Sequence, residues 1–551
     1  MNLFTIVSFV GFTALVAFVS WYKTKDEDLT TESGYFLAGR SLPGIVIAGS
    51  LMLTNLSTEQ MIGLNGQSYM TNMGPMAWEA TSCIALALMA FIFLPKYLKS
   101  GITTIPQYLE ERYDNQTKKI ISILFLIGYI LTYLPTVLYS GALVLNQLFG
   151  IQDILGITQF QAVFVISIAI GIIGSIYAIF GGLKAVAVSD TINGVGLLIG
   201  GFTIPILGLI ALGNVNGGGF MEGINTLLTV NPEKLNAINS ANSQSPLIPW
   251  PVLFTGLLFN NLFYWCTNQS IVQRTFGAKN LKEAQKGVIF AGYLKLLGPF
   301  FLVIPGIIAF HLKPGLENPD LAYPTLVSQV LPPALLGFFA AVLFGAILSS
   351  FNSALNSAVT LYTLDIYKPR LLEKAKQKAL ANGDSGEVTL ETSDFELVQR
   401  GKKFGTILAV VSIIVAPFII YAPAGLYGYL QECFGFYNVP ILAAVVVGFY
   451  SKKVPAKGPK VALIAHIILY TLSKFFLGNV HFLYVIGVLF PVNVLIMLYI
   501  GKISPRATNF IQKDIGAVDL TPWKYAKPAA FISIALMCIM YLVFSTVGIA
   551  A

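Results

Sequence analysis

Charge is what this chain has least of. Only 11% of its 551 residues are Asp, Glu, Lys or Arg, against about 25% in a soluble globular domain. Histidine is scarce as well: His311, His466 and His481 are the only three, and no HExxH pair occurs. The four cysteines, Cys83, Cys266, Cys433 and Cys538, all fall inside apolar runs, where they behave as small hydrophobes. Their spacing makes neither a disulfide framework nor a metal site. No carboxylates cluster and no nucleophile stands beside a base, which argues against an enzyme working inside a membrane. The opening stretch MNLFTIVSFVGFTALVAFVSWY has no basic segment and no small-residue cleavage site before Lys23, so it reads as a retained span and not as a signal peptide.

What fills the chain instead is apolar sequence, 55% of it, in runs of about 20 residues, the length that crosses a hydrocarbon layer of about 30 Å. Charged breaks divide it into fourteen expected spans: 2–22, 44–70, 75–98, 120–148, 158–180, 185–212, 249–273, 287–312, 333–364, 404–422, 424–450, 461–478, 481–501 and 528–548. The basic residues test that division. Counting Lys96 at the end of the third span, 30 of the 34 Lys and Arg lie in alternate connections beginning with 23–43. The other connections hold only Lys234 and Lys313, and Lys295 and Lys474 lie within spans. Positive charge marks the inner face, so both termini are expected outside. The net charge of +8 is therefore spent on that face and not on nucleic acid. The 365–403 stretch carries both signs and reads as an inner linker with some helix, too short for a soluble catalytic domain. The polar 213–248 loop reads as an outer cap.

Two spans are interrupted by polar residues. The second gathers Thr54, Asn55, Ser57, Thr58, Glu59 and Gln60; the seventh gathers Asn260, Asn261, Thr267, Asn268 and Gln269. Irregular backbone at membrane depth survives only where it lines a cavity. The two spans are five apart, so two successive five-span units lie in opposite orientations, and broken helices at matching places in such units point to a transport site. The plainer alternative is a kinked helix whose hydroxyls bond their own carbonyls. Glu79 and Lys295 add two ionisable groups within spans, each facing a cavity or a partner; pairing with one another as a structural ion pair is compatible with either. The ninth span, GAILSSFNSALNSAVTLYTLDIY, is rich in small residues that permit close helix approach. Its paired hydroxyls Ser349 and Ser350 are also hard oxygens of the kind that suit an alkali cation.

Several separated motifs now stand in order: YFLAGRSLP (35–43), NLSTEQMIG (55–63), YAIFGGLKAVAVSD (177–190), NQSIVQRTFGAKNLKEAQKG (268–287), LSSFNSALNSAVTLYTLDIY (348–367) and YLQECFGF (429–436). From about Tyr35 to Lys460 the chain resembles the sodium/solute symporter family, in particular its bacterial sodium/galactose (glucose) branch. The resemblance implies an all-α membrane fold of about 14 transmembrane helices: a five-plus-five inverted repeat of the leucine-transporter type, broken at 53–60 and 261–268. The implied organisation is an N-terminal extra helix (1–43), a first repeat (44–212), an extracellular loop (213–248), a second repeat (249–450) containing the cytoplasmic linker 365–403, and three further helices (451–551).

It implies sugar ligands at Gln60, Glu79, Ser82, Asn261, Lys295 and Gln431, a ring of donors and acceptors suited to hydroxyls, and an aromatic gate at Tyr264 with Trp265 beside it. It implies a sodium site from the main-chain carbonyls of Leu53, Leu56 and Ala346 and the hydroxyls of Ser349 and Ser350, with Asp190 on the inward ion path. The family often has Ala where Leu53 stands, a change that a main-chain ligand tolerates. The implied activity is sodium-coupled import of a neutral monosaccharide by alternating access across a bacterial plasma membrane. Sodium is the coupling ion and no other cofactor is implied. The alternatives are a myo-inositol-like polyol, a sensor that binds sugar without moving it, and, less favoured, sialic acid. Carriers of sialic acid in the family hold its carboxylate with an Arg on the third core helix, whereas 120–148 here has no Arg or Lys and Glu79 repels an anion.

Overall fold

The computed structural model describes residues 3–26, 29–215, 217–381, 394–421 and 426–550. The 365–403 linker and the 424–450 span are therefore described only in part, and the side chains of 177–181, within one of the motifs above, also lie outside the described residues. Among the described residues the chain is helical, with two isolated bridges, Leu42 to Ala278 and Asn239 to Pro249, and no sheet. Its principal helices are α1 (Leu3–Thr24), α2 (Gly44–Asn55), α3 (Thr58–Met70), α4 (Met76–Ser100), α5 (Asn115–Phe149), α6 (Gln159–Val215), α7 (Gly256–Cys266), α8 (Gln269–Phe276), α9 (Leu281–Leu312), α10 (Pro333–Ala379), α11 (Asp394–Tyr421), α12 (Tyr427–Phe434), α13 (Asn438–Tyr450), α14 (Lys457–Phe476), α15 (Phe482–Ile503) and α16 (Ala526–Val543).

Among the described residues eleven helical segments are long and apolar enough to cross a membrane, α6 supplying two of them, Gln159–Ile176 and Gly182–Val215, or twelve if α12 and α13, bent by 48°, form one span. The count falls short of fourteen for a physical reason. The segments expected at 44–70 and 249–273 are each two short helices, of 12 and 13 residues and of 11 and 8 residues. At 1.5 Å per residue none of the four alone spans the hydrocarbon. The other long helices carry their apolar side chains outward, among them Phe18, Ile407, Phe475 and Phe531, each at least 60% exposed. A protein surrounded by water rarely shows so much apolar surface.

Local chemistry sets the helix ends. Asp114 caps α5 by accepting from Thr117 N at 2.7 Å, and Asn280 caps α9 by accepting from Glu283 N at 2.9 Å; such caps satisfy amides that begin a helix. In α6 the chain turns at Gly182, with φ 60° and ψ −173°, a conformation essentially reserved for glycine. A side chain there would meet Leu29 and the Tyr35 carbonyl. That kink separates the two expected spans 158–180 and 185–212. α2 packs between α9, α6 and α10, so the first broken segment is enclosed by helices. The segment after α6 includes a helix at Phe220–Thr229. It then docks on the end of α3, where Lys234 Nζ donates to Tyr69 O at 2.7 Å and Asn72 Nδ2 donates to Asn239 Oδ1 at 2.6 Å.

Candidate functional site

At the end of α2 the hydrogen-bond ladder fails. Ser57 N turns to Asn55 O and Gln60 N to Ser57 O, so the amides that would continue the helix do not reach Leu53 O or Leu56 O. The segment 53–60 is therefore broken, at Leu56–Ser57. α10 closes on this break: Ser350 Oγ donates to Thr54 O at 3.4 Å, and Ser353 Oγ lies 3.3 Å from Thr54 Oγ1. Ala346, Ser349 and Ser350 are all buried on α10.

Just beyond the break lies a charged ring. The Lys295 ammonium on α9 pairs with the Glu79 carboxylate on α4 and donates to Asn55 Oδ1, while Gln60 Nε2 on α3 donates to Glu79 Oε1. Gln60, Glu79 and Lys295 are sealed from solvent, Glu79 at 0% and Lys295 at 1% exposed, and Asn55 is half-buried. Such a pair is costly to bury, and its groups remain because each satisfies the other. Gln60 Oε1 has no hydrogen-bond partner, leaving an acceptor beside the pair. Ser82 instead bonds back to Trp78 O at 2.8 Å on its own helix.

The second break falls at Thr267–Asn268, inside the expected 261–268. Here protein groups cap the loose ends. Tyr97 OH donates to Cys266 O at 2.9 Å, Asn268 accepts from Ser270 N, and Tyr129 OH also accepts from Ser270 N. On α7, Asn261 Nδ2 donates to Thr81 Oγ1 at 2.8 Å. Its neighbour Asn260 belongs to an amide chain: Asn438 Nδ2 donates to Asn260 Oδ1 at 2.6 Å, and Asn260 Nδ2 to Gln431 Oε1 at 3.0 Å. Val439 N, which can only donate, bonds to Asn438 Oδ1 at 2.6 Å, so the chain has one direction. Tyr264 is half-buried and meets Trp265 edge to face at 5.2 Å, and the Lys295 ammonium lies 5.8 Å from the Trp265 ring centre.

Asp190 is buried within α6. Its Oδ2 accepts from Ser50 Oγ at 2.7 Å and Thr54 Oγ1 at 3.5 Å, with Arg274 Nη2 at 4.0 Å. Arg274 also donates to the Ser353 hydroxyl and, at 2.5 Å, to Ser270 O. The Asp190–Arg274 pair thus joins α2, α6, α8 and α10.

The structure thereby gathers Gln60, Glu79 and Lys295 into one cluster, sets Asn261 and Gln431 on a neighbouring pair of amide contacts, and places Ser350 at the first break. Sequence reasoning gave no role to Asn55, Thr81, Asn260, Asn438 or Arg274. Arg274 was legible as a cation in one of the motifs, and Asn55 and Asn260 as members of the two polar interruptions, though not what each of them meets; Thr81 and Asn438 leave no comparable mark.

Residues 35–468 match the family model described as sodium:solute symporter family. The chain is 49% identical over 533 residues to YidK of Escherichia coli, named as an uncharacterized symporter, covering 96% of this chain and 89% of the relative. It is 33% identical over 491 residues to the sodium/glucose cotransporter of Vibrio parahaemolyticus (85% and 84% covered) and 30% identical over 564 residues to the human sodium/myo-inositol cotransporter (92% and 73% covered). Among solved structures, a Na+-coupled sialic acid symporter in a substrate-bound outward-open state superposes with a TM-score of 0.74 at 22% identity, covering 92% of this chain and all of that one. Mhp1, a nucleobase-cation-symport-1 family transporter, gives 0.52 at 14% identity, covering 86% and 97%. Helices that carry apolar faces outward and seal paired charges beside a broken segment share the fold of these transporters, and with the match along 35–468 they make this chain a member of the sodium:solute symporter family.

Proposed function

We propose that the chain imports a neutral polyhydroxylated solute, galactose- or glucose-like, with sodium by alternating access. One observation carries the reading: the cluster of buried Gln60, Glu79 and Lys295 with half-buried Asn55 adjoins a helix break at which α10 brings the Ser350 hydroxyl to a main-chain carbonyl. Amide, carboxylate and ammonium groups held together offer the mixed donors and acceptors a polyol needs. Carbonyl and hydroxyl oxygens at the break suit a hard alkali cation, with Leu53, Leu56 and Ala346 supplying carbonyls and Ser349 and Ser350 hydroxyls. Gln60, Glu79, Ser82, Asn261, Lys295 and Gln431 take the solute, Tyr264 with Trp265 gates its release, and Asp190 stands on the ion's way inward. Relatives named for glucose and myo-inositol support a neutral polyol, with myo-inositol as the second reading. Sialic acid is disfavoured because Lys295 is already neutralised by Glu79. A sensor that binds without moving its solute remains the alternative outcome of the flux test.

In this reading the breaks lie at matching places in two inverted units, 44–212 and 249–450. The chain crosses a bacterial plasma membrane fourteen times with both termini outside. Sodium binds from outside and fastens α2 and α3 to α10, which completes the solute site; the solute closes the outer side and the two helix groups rock. A potential of about 100 mV is worth about 2.3 kcal/mol per charge, which at about 1.4 kcal/mol per tenfold sustains roughly a 50-fold solute gradient for one sodium.

The test is uptake of radiolabelled galactose, glucose, myo-inositol and sialic acid by purified protein in proteoliposomes, with sodium or choline outside. Sodium-dependent accumulation of a neutral polyol is the expected result. Uptake of sialic acid alone, or binding with no flux, overturns the reading. Ser350→Ala should raise the half-saturating sodium concentration about tenfold; an unchanged sodium requirement removes the site from α10.

A further inference from the structure

Among the described residues four carboxylates are sealed in the helical core: Glu59, Glu79, Asp190 and Asp365, none above 2% exposed. Three have cations. Lys295 pairs with Glu79, Arg274 lies 4.0 Å from Asp190, and Lys118 lies 3.7 Å from Asp365, which also accepts from Thr104 and Ser122. Glu59 has no cationic partner among the described residues, and its Oε2 accepts no hydrogen bond. An ionised carboxylate shut away from water without a cation is strongly disfavoured, so Glu59 needs a proton or a cation from outside the chain.

Its place in the fold chooses between them. Glu59 stands in the first turn of α3, immediately after the break at which Leu56 O and Leu53 O lose their amides. The helix N-terminus favours the ionised form over the neutral one. The carbonyls at the break can only accept, and the single O–H of a protonated Glu59 serves at most one of them, whereas a metal cation serves several carbonyls and the carboxylate together. Ser350 Oγ of α10 meets the same break, 3.4 Å from Thr54 O. We infer that Glu59 is the counter-charge of the coupling cation, acting on sodium seated at the first break. The inference rests on the sodium reading above and adds to it the group that supplies the ion's balancing charge.

Glu59→Gln, Glu59→Asp and Ser350→Ala are compared with the unaltered protein in two measurements: sodium dependence of solute uptake, and thermal unfolding in detergent with sodium or potassium and no solute. Glu59→Gln is expected to raise half-saturating sodium about tenfold or more, to leave the solute KM at saturating sodium unchanged, and to lose the sodium-dependent thermal shift. Its unfolding temperature without sodium should equal or exceed that of the unaltered protein, because an unpaired buried charge is gone. Glu59→Asp should recover part of the sodium affinity. If Ser350→Ala raises the sodium requirement and Glu59→Gln does not, the counter-charge falls while the sodium site stands. If neither responds, both fall. A Glu59→Gln protein destabilised without sodium also overturns the inference, since the carboxylate then serves the fold.

Discussion

Lys295 on α9 is held by two oxygens of different kinds, the Glu79 carboxylate on α4 and the Asn55 amide on α2. Removing one member leaves the other charge buried and alone. Lys295→Ala should therefore cost roughly 3–5 kcal/mol of stability. The double variant Glu79→Gln, Lys295→Met should regain most of it and still fail to accumulate solute. Thermal unfolding and uptake measured on the same preparations check this; recovery of uptake in the double variant reduces the pair to a structural role. Glu79 and Lys295 were legible from the sequence because an ion in an apolar run is costly and needs a reason. Asn55, Thr81 and Asn438 were not legible as partners: a neutral amide or hydroxyl in a helix costs little until the fold brings it to something. Asn260 was visible as part of a polar interruption, but its direction toward Gln431 depends on Asn438, 178 residues away.

At the scale of helices, the close approach of α9 to α4 is set by Gly298. A methyl group there would stand 2.5 Å from Glu79 Oε2 and 3.1 Å from its Cδ. Because that carboxylate is the far end of its side chain, it yields before the backbone does. Gly298→Ala is thus expected to push Glu79 off Lys295, raising the solute KM about tenfold and lowering stability by roughly 1–3 kcal/mol, with the sodium requirement unchanged. Uptake titrations in both substrates measure it. The breaks in 44–70 and 249–273 could be read ahead because hydroxyl and amide residues crowd there. Their exact residues could not, since they depend on where amides of Ser57 and Gln60 turn. The bend of 48° between α12 and α13 has no counterpart in the apolar pattern, which runs on through Val439 and Pro440. The π-helical turns at Met89–Phe93, Tyr129–Tyr133 and Leu361–Tyr367 are equally silent, because one widened turn leaves the hydrophobic face nearly in register.

For the whole molecule, the distribution of Lys and Arg predicts which ends of the helices face inward. In a variant whose Cys433 and Cys538 are replaced by Ser, a cysteine at Asn479, between α14 and α15, should react from outside intact cells with a membrane-impermeant maleimide. One at Lys376, on the exposed end of α10, should react only after permeabilisation, with about a tenfold contrast. The reverse pattern inverts the topology. Membership of the fold was readable because it rests on composition and on motifs far apart in the chain. The way the far end of α10 fastens to other elements was not: Lys368 reaches Glu32 at 2.5 Å and Glu373 lies 3.9 Å from Lys119, surface pairs that any charged stretch could have offered.

Of the two interrupted helices, one ends in a carbonyl already engaged by a tyrosine hydroxyl, Tyr97 on Cys266. A metal ion arriving there finds its place taken, whereas the gap after Leu56 stays unstoppered. On the sodium reading proposed above the two breaks offer one seat between them, and the current carried per molecule of solute should be one elementary charge. Reversal potentials in proteoliposomes under stepped gradients read that ratio directly; a value of two would require a further seat elsewhere in the bundle.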